Sequence, residues 1–303
     1  MKIKALVIAM GVSLGLAACG GGSDNKTIEV TAIDGYLHNA NAKAKCGGDG
    51  YTAITDAKGL AKFSVKSGTK GNECEIEITS KSDGSTVDVD TGKKFAANEL
   101  YLLTPAGQSG KLVATPFTTL VAMLMKTSGG SINLSSAITE ISKQYNITEA
   151  EAIGDFTSNI ETALKAIALV PHLPKTESAF TDIVGKPTAV TALNTTLQAV
   201  NKAVEDEIEV IKNNGGDLNS GIIVVTIDKD GNTTTEVIDK ESGKPVEPTG
   251  GTGGTGTGTG GTGTGGSGTG GTGTGGTGTG GTGTGTGGTG GTGGTGAGGG
   301  TGN

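Results

Sequence analysis

Tryptophan is absent from the sequence, aromatic residues make up only 3% of it, and there are two histidines and three cysteines. With so few aromatics, a small β-sandwich would need a disulfide to support its core. His38 and His172 are the only histidines; the first sits at a strand–turn boundary and the second inside Pro171-His172-Leu173-Pro174. Both read as surface or loop residues, and neither has a nucleophile among its sequence neighbours. No His-Glu-x-x-His, P-loop, Gly-x-Ser-x-Gly or dinucleotide fingerprint occurs. The carboxylates are many but dispersed, so no glycosidase pair can be named. No second cysteine pair completes a zinc site. The residues therefore nominate no catalytic group, no metal ligand and no cofactor. Lysine and arginine form no cluster, and the net charge is −7 with an isoelectric point near 5.0. Nucleic acid, which is held through basic surfaces, is excluded as a partner.

The amino terminus is well marked. Met1-Lys2-Ile3-Lys4 is a short basic start, and Ala5 to Ala18 follow without a charge. These are the parts of a secretory signal. The apolar run is shorter than the ~20 residues needed to cross a bilayer as a permanent helix. Leu16-Ala17-Ala18-Cys19, followed by Gly20-Gly21-Gly22-Ser23-Asp24, resembles the lipobox and tether of bacterial lipoproteins. The resemblance implies cleavage after residue 18, acylation of Cys19 and a membrane anchor, and Gly20 in place of Asp favours the outer membrane. More than one acyl chain is needed for stable anchoring.

At the other end, the chain from Thr249 onward is glycine and threonine, broken only by Ser267, Ala297 and Asn303. Such a segment has almost no apolar surface to bury and much backbone entropy to lose, so disorder is expected over 247–303. The chain thus divides into a signal (1–18), a tether (19–26), a β-sandwich domain (27–105), a helical domain (106–215), a hairpin segment (216–246) and the tail. The fold class expected is α+β.

With Cys19 assigned to the lipid, Cys46 and Cys74 remain as a pair in an exported chain, and a disulfide is expected. Around them the pattern has period two. Ile28, Val30 and Ala32 form one row, Ala40 to Cys46 a second, Ala61 to Val65 a third, and Cys74 to Ile78 a fourth. Weaker candidates surround Tyr51, Val87 to Val89, and Leu100 to Leu103. About seven short strands between Gly, Asp, Asn and Ser turns predict an antiparallel β-sandwich. Equal parity puts Cys46 and Cys74 on core-facing rows.

Ile33-Asp34-Gly35-Tyr36-Leu37 and Thr55-Asp56-Ala57-Lys58-Gly59, each leading into a strand, resemble the opening motifs of carboxypeptidase-regulatory-like (transthyretin-like) domains in bacterial surface lipoproteins. Ala114-Thr115-Pro116-Phe117-Thr118-Thr119-Leu120-Val121 resembles a segment that follows the sandwich in such proteins. The resemblance implies an accessory or adhesive module. Many relatives carry an acidic insertion between the two motifs, a candidate calcium site, but here the stretch is only Gly47-Gly48-Asp49-Gly50, so the resemblance does not carry calcium over.

Helical spacing begins at Thr115-Pro116, with Pro suited to the first helical position. It runs through Phe117, Leu120, Val121 and Leu124, then Leu134 to Tyr145, then Ile160 to Ile167. Thr148 with Glu151 and Ser158 with Glu161 fit capping boxes. The longest pattern, Val190 to Ile211, suits either an amphipathic helix closing an intramolecular bundle or a coiled-coil seam. Ile222 to Ile227 and Thr233 to Ile238 flank Asp228-Lys229-Asp230-Gly231-Asn232, a hairpin signal. Its glycine stands at the fourth place of the loop where an EF-hand needs it at the sixth.

The function these readings imply is a lipid-anchored outer-membrane lipoprotein acting as a non-catalytic adhesion, scaffolding or partner-binding protein. Its partners would be the membrane, through the anchor, and a protein or glycan at the cell surface. The alternative is a surface hydrolase, or the remnant of one, whose site carries no motif. A third reading is an envelope spacer that uses the Gly/Thr tail.

Overall fold

The computed structural model describes residues 26–246. The signal, Cys19, the tether and the tail from 247 onward lie outside the described residues. The first part of the chain is all strand: β1 (Lys26–Ala32), β2 (Leu37–His38), β3 (Asn41–Cys46), β4 (Asp49–Ile54) and β5 (Leu60–Val65). After a 3-10 turn at Gly71–Glu73 come β6 (Cys74–Thr79), β7 (Thr86–Asp88), β8 (Lys94–Phe95), β9 (Tyr101–Thr104) and β10 (Leu112–Ala114).

These strands form three sheets, in the orders β10-β1-β5, β4-β3-β6-β9 and β2-β7-β8. Nine of these strands stand where about seven were expected, and β10 lies beyond the expected sandwich. One pairing is parallel, between β1 and β10, with Val30 opposite Leu112. Strand β10 falls in the stretch read as helical because three residues are too few to show a period. The alternation itself is as expected: Ile28, Val30 and Ala32 are buried on β1, and Ala42, Ala44 and Cys46 on β3. These rows join Ile76 and Ile78 in one buried cluster.

One turn explains the motif Thr55-Asp56-Ala57-Lys58-Gly59. Asp56 Oδ1 accepts the N–H groups of Lys58 at 2.8 Å and Leu60 at 3.0 Å. Those backbone bonds hold its carboxyl below the usual aspartate range. Gly59 then takes φ +68, and a Cβ there would lie 2.4 Å from the Ala32 carbonyl oxygen. Only glycine fits such a close backbone approach. Thr55 Oγ1 accepts the Ala40 N–H at 2.8 Å, joining the turn to the start of β3.

Six helices follow among the described residues: α1 (Pro116–Thr127), α2 (Leu134–Tyr145), α3 (Glu149–Ala152), α4 (Ile160–Leu169), α5 (Glu177–Val184) and α6 (Pro187–Asn213). Helix α1 begins as expected. Thr118 N–H donates to Thr115 Oγ1 at 3.0 Å, and Thr115 N–H donates to Thr118 Oγ1 at 2.8 Å. Pro116 to Met123 are buried without a break, so α1 is enclosed on all sides rather than amphipathic. Phe117 packs edge-on against Tyr145 and Phe156, with centroids 6.0 and 5.6 Å apart.

The capping box of Thr148 and Glu151 forms, on a helix of only four residues. The other differs: Asn159, not Ser158, caps α4, through Oδ1 to the Glu161 and Thr162 N–H groups. Helix α5, with Thr176 as its cap, has too short and weak a pattern to be recognised in advance. Lys165 on α4 ties three helices together although it is buried. Its ammonium donates to the last carbonyls of α2, Tyr145 O at 2.9 Å and Asn146 O at 3.2 Å, and pairs with Glu205 of α6 at 2.6 Å. A buried ammonium persists only when so satisfied.

Helix α6 buries Leu197, Val200, Val204 and Ile208 in the common cluster, which favours the intramolecular packing reading. The hairpin β11 (Gly221–Ile227) and β12 (Thr233–Asp239) is antiparallel and lays Ile223 and Val225 into that cluster. Its turn is held by Asp228, which accepts the N–H groups of Asp230 and Asn232 at 2.8 and 2.9 Å. Among the described residues no helix is long and apolar enough to cross a membrane.

Candidate functional site

The two cysteines are brought together. Cys46 on β3 lies directly opposite Cys74 on β6, and the sulfurs are bonded. Both side chains face the core, as their parity required. Cys19 lies outside the described residues. The histidines are far apart in role. His38 is exposed at the end of β2, whereas His172 Nε2 lies 3.0 Å from the Val225 carbonyl and fastens the hairpin.

Two unusual places remain, and no sequence motif announces either as a site. The first is a pair of buried carboxyls. Asp34, in the tight turn between β1 and β2, is 3% exposed, and its Oδ1 has no hydrogen-bond partner. Burial, and then the neighbouring Asp88 carboxylate, hold its carboxyl well above the ordinary aspartate range, against the pull of Lys93 and Lys175. Asp88 is raised too, chiefly by burial, although the Asp90 and Thr91 N–H groups and the Thr91 hydroxyl donate to it. Gly35 lets this carboxylate approach, since a Cβ there would lie 2.0 Å from Asp88 Oδ1. Lys175 is held below the usual lysine range by burial and then by Lys93. The pair is sealed in the fold. Among the described residues, no group of three or more His, Cys, Asp or Glu side chains could hold a metal ion.

The second place is an open groove of about 1080 Å³ along the sheet β10-β1-β5. Residues of β1 contribute to its lining, Tyr36 and Asp155 stand together at one part, and the loop 107–111 forms another part. Tyr36 Oη donates to Asp155 Oδ2 at 2.9 Å. The loop is tied to the 3-10 turn by the Gly107 N–H to the Asn72 carbonyl, at 2.7 Å. Within it Gln108 is 2% exposed, and neither its Oε1 nor its Nε2 has a partner. Lys26, Lys58, Lys70 and Lys111 also line the groove. Lys70 pairs with Glu73 at 3.3 Å. Glu29, also in the lining, is already paired with Lys62 at 2.9 Å. Among the described residues no carboxylate pairs with Lys58 or Lys111. The four lysines are scattered over residues 26–111, which is why they do not register as a cluster in sequence.

No family model matches the chain, and no curated protein or solved structure matches it.

Proposed function

We propose that the chain is a lipid-anchored cell-envelope lipoprotein of the outer membrane, whose structured part is a non-catalytic module for adhesion, scaffolding or partner binding. The observation that carries this reading is Leu16-Ala17-Ala18-Cys19 followed by a glycine-rich tether that runs straight into the first strand. The reach from Cys19 to Lys26 is at most about 25 Å, so acylation would hold the sheets close to the bilayer. The Cys46–Cys74 disulfide supports it, because such bonds persist in oxidising compartments outside the cytosol. The finer reading of the sheets is a β-sandwich of the transthyretin-like kind. Its support is that the two residue motifs of that resemblance form the turns on which β1, β3 and β5 depend.

The sealed position of Asp34 and Asp88 does not favour a hydrolase, since a general acid or base must reach the proton it transfers. The test is the intact mass of the membrane-extracted protein, wild type beside Cys19→Ala. The expected mature form begins at Cys19 and carries acyl mass that the variant lacks. A soluble, unmodified chain cleaved elsewhere would overturn the proposal.

A further inference from the structure

We infer that the groove along β10-β1-β5 is a binding site for an anionic polysaccharide, a chain of sugar rings bearing carboxylates. This names the partner class within the partner-binding reading and rests on that reading, but not on the lipid anchor. The groove volume, about 1080 Å³, is at the upper end of small-ligand sites, so it suits an oligomer of more than one ring. Its concave form suits a discrete chain better than a flat membrane surface.

The charge is locally reversed. On a chain of net charge −7, the groove carries four lysines against two carboxylates, Glu29 and Asp155. Both carboxylates are already engaged, by Lys62 and by Tyr36. Lys58 and Lys111 are exposed and unpaired among the described residues, and can meet ligand carboxylates without breaking an existing ion pair.

The Gln108 carboxamide adds a second, independent signal. A buried amide with neither end bonded is costly unless a group arrives to pair with it. Gln108 lies in the loop that lines the groove, between Gly107 and Gly110, both at positive φ. An acidic peptide suits the site less well. Peptides commonly add as a strand to a sheet edge; β1 is paired on both sides, and of the two edge strands β10 has only three residues. The side chains of the lining offer a ligand hydroxyl, amide and ammonium groups.

The experiment is a calorimetric titration of the full mature chain in detergent with oligogalacturonate. Uncharged oligosaccharide of equal length, polyphosphate and poly-glutamate are run in parallel. Oligogalacturonate is expected to bind at least tenfold more tightly than each of the others. Lys58→Gln with Lys111→Gln should weaken it at least tenfold, and Gln108→Leu at least threefold, with unchanged circular dichroism for both variants. Absence of oligogalacturonate binding overturns the inference, as does undiminished binding by the lysine double variant. Equal binding of the neutral sugar removes the role of charge, and equal binding of polyphosphate or poly-glutamate removes the glycan. Either result overturns the inference as well. An unaltered affinity in Gln108→Leu would sink the part assigned to the amide. The acyl mass at Cys19 is read separately, so failure here leaves the anchor standing or falling on its own measurement.

Discussion

Replacing both Cys46 and Cys74 by alanine should lower stability by about 3.6 kcal/mol. The two residues are 28 apart in sequence. For a loop of that length, the chain entropy removed from the unfolded state is roughly 12 cal/mol/K, which gives that figure at room temperature. Alanine is the suitable replacement because both side chains are buried, and a serine hydroxyl there would lack a partner. The folded state should survive, since β3 and β6 remain paired from Asn41 opposite Thr79 to Lys45 opposite Glu75. The loss should therefore appear in the unfolded ensemble, which becomes larger and raises the denaturant slope slightly. For a folded region of this size, the melting temperature should fall by roughly 7–14 °C. Urea denaturation of the oxidised wild type, the reduced wild type and the double variant measures the stability and the slope, and a thermal melt of each measures the temperature. A double variant within about 1 kcal/mol of the oxidised wild type would refute the account of the bond as a constraint on the unfolded chain.

Asp34→Asn should change how stability depends on pH. Because the folded-state carboxyl titrates above its unfolded value, the native state holds the proton more tightly. The contribution of Asp34 to stability should therefore be lost as pH rises from about 4 through the raised folded value, and no further above it. The variant should match the wild type at the acid end and exceed it at neutral pH by on the order of 1 kcal/mol or more. Identical profiles from pH 3 to 8 would count against a strained carboxyl. Thr115→Ala should cost about 1–2 kcal/mol, because it leaves the Thr118 N–H without its acceptor at the start of a buried helix. A loss within 0.5 kcal/mol in the same denaturation assay would show that the cap is dispensable.

What the sequence made legible follows from the strength of its periods. The rows of β1, β3 and β5 were readable because one face of each is buried and the other largely exposed, and that of β6 because Glu75 and Glu77 alternate with its apolar residues although Glu77 is buried. The cysteine pairing followed from the same parity. Strand β10 and helix α5 were not readable: one has three residues, and the other buries only Phe180. The box at Ser158 failed because Asn159, one residue on, offers a carboxamide oxygen to two N–H groups at once. The number of strands was underestimated for a related reason. Two-residue strands such as β2 and β8 show no alternation and depend on their partners. The groove was hidden because its lysines come from four separate segments.

The residues with the loudest sequence signals turn out to have structural duties. Gly59 makes room for the Ala32 carbonyl, Asp56 holds its own turn, Asp228 holds the hairpin, and Thr115 starts a buried helix. Once those duties are assigned, such residues carry little further information about a ligand. Functional chemistry is better sought where the fold leaves a polar group unexplained, since most buried polar atoms find partners inside the protein. Gln108 and Asp34 both meet that condition, but they differ in access. Asp34 is enclosed with Asp88 and can respond only to protons or to unfolding. Gln108 is no more exposed, but its loop lines an open groove that Lys58 and Lys111 also line, so a ligand there can come close to it. That difference in access, more than any motif, separates a strained structural residue from a candidate binding residue in this chain.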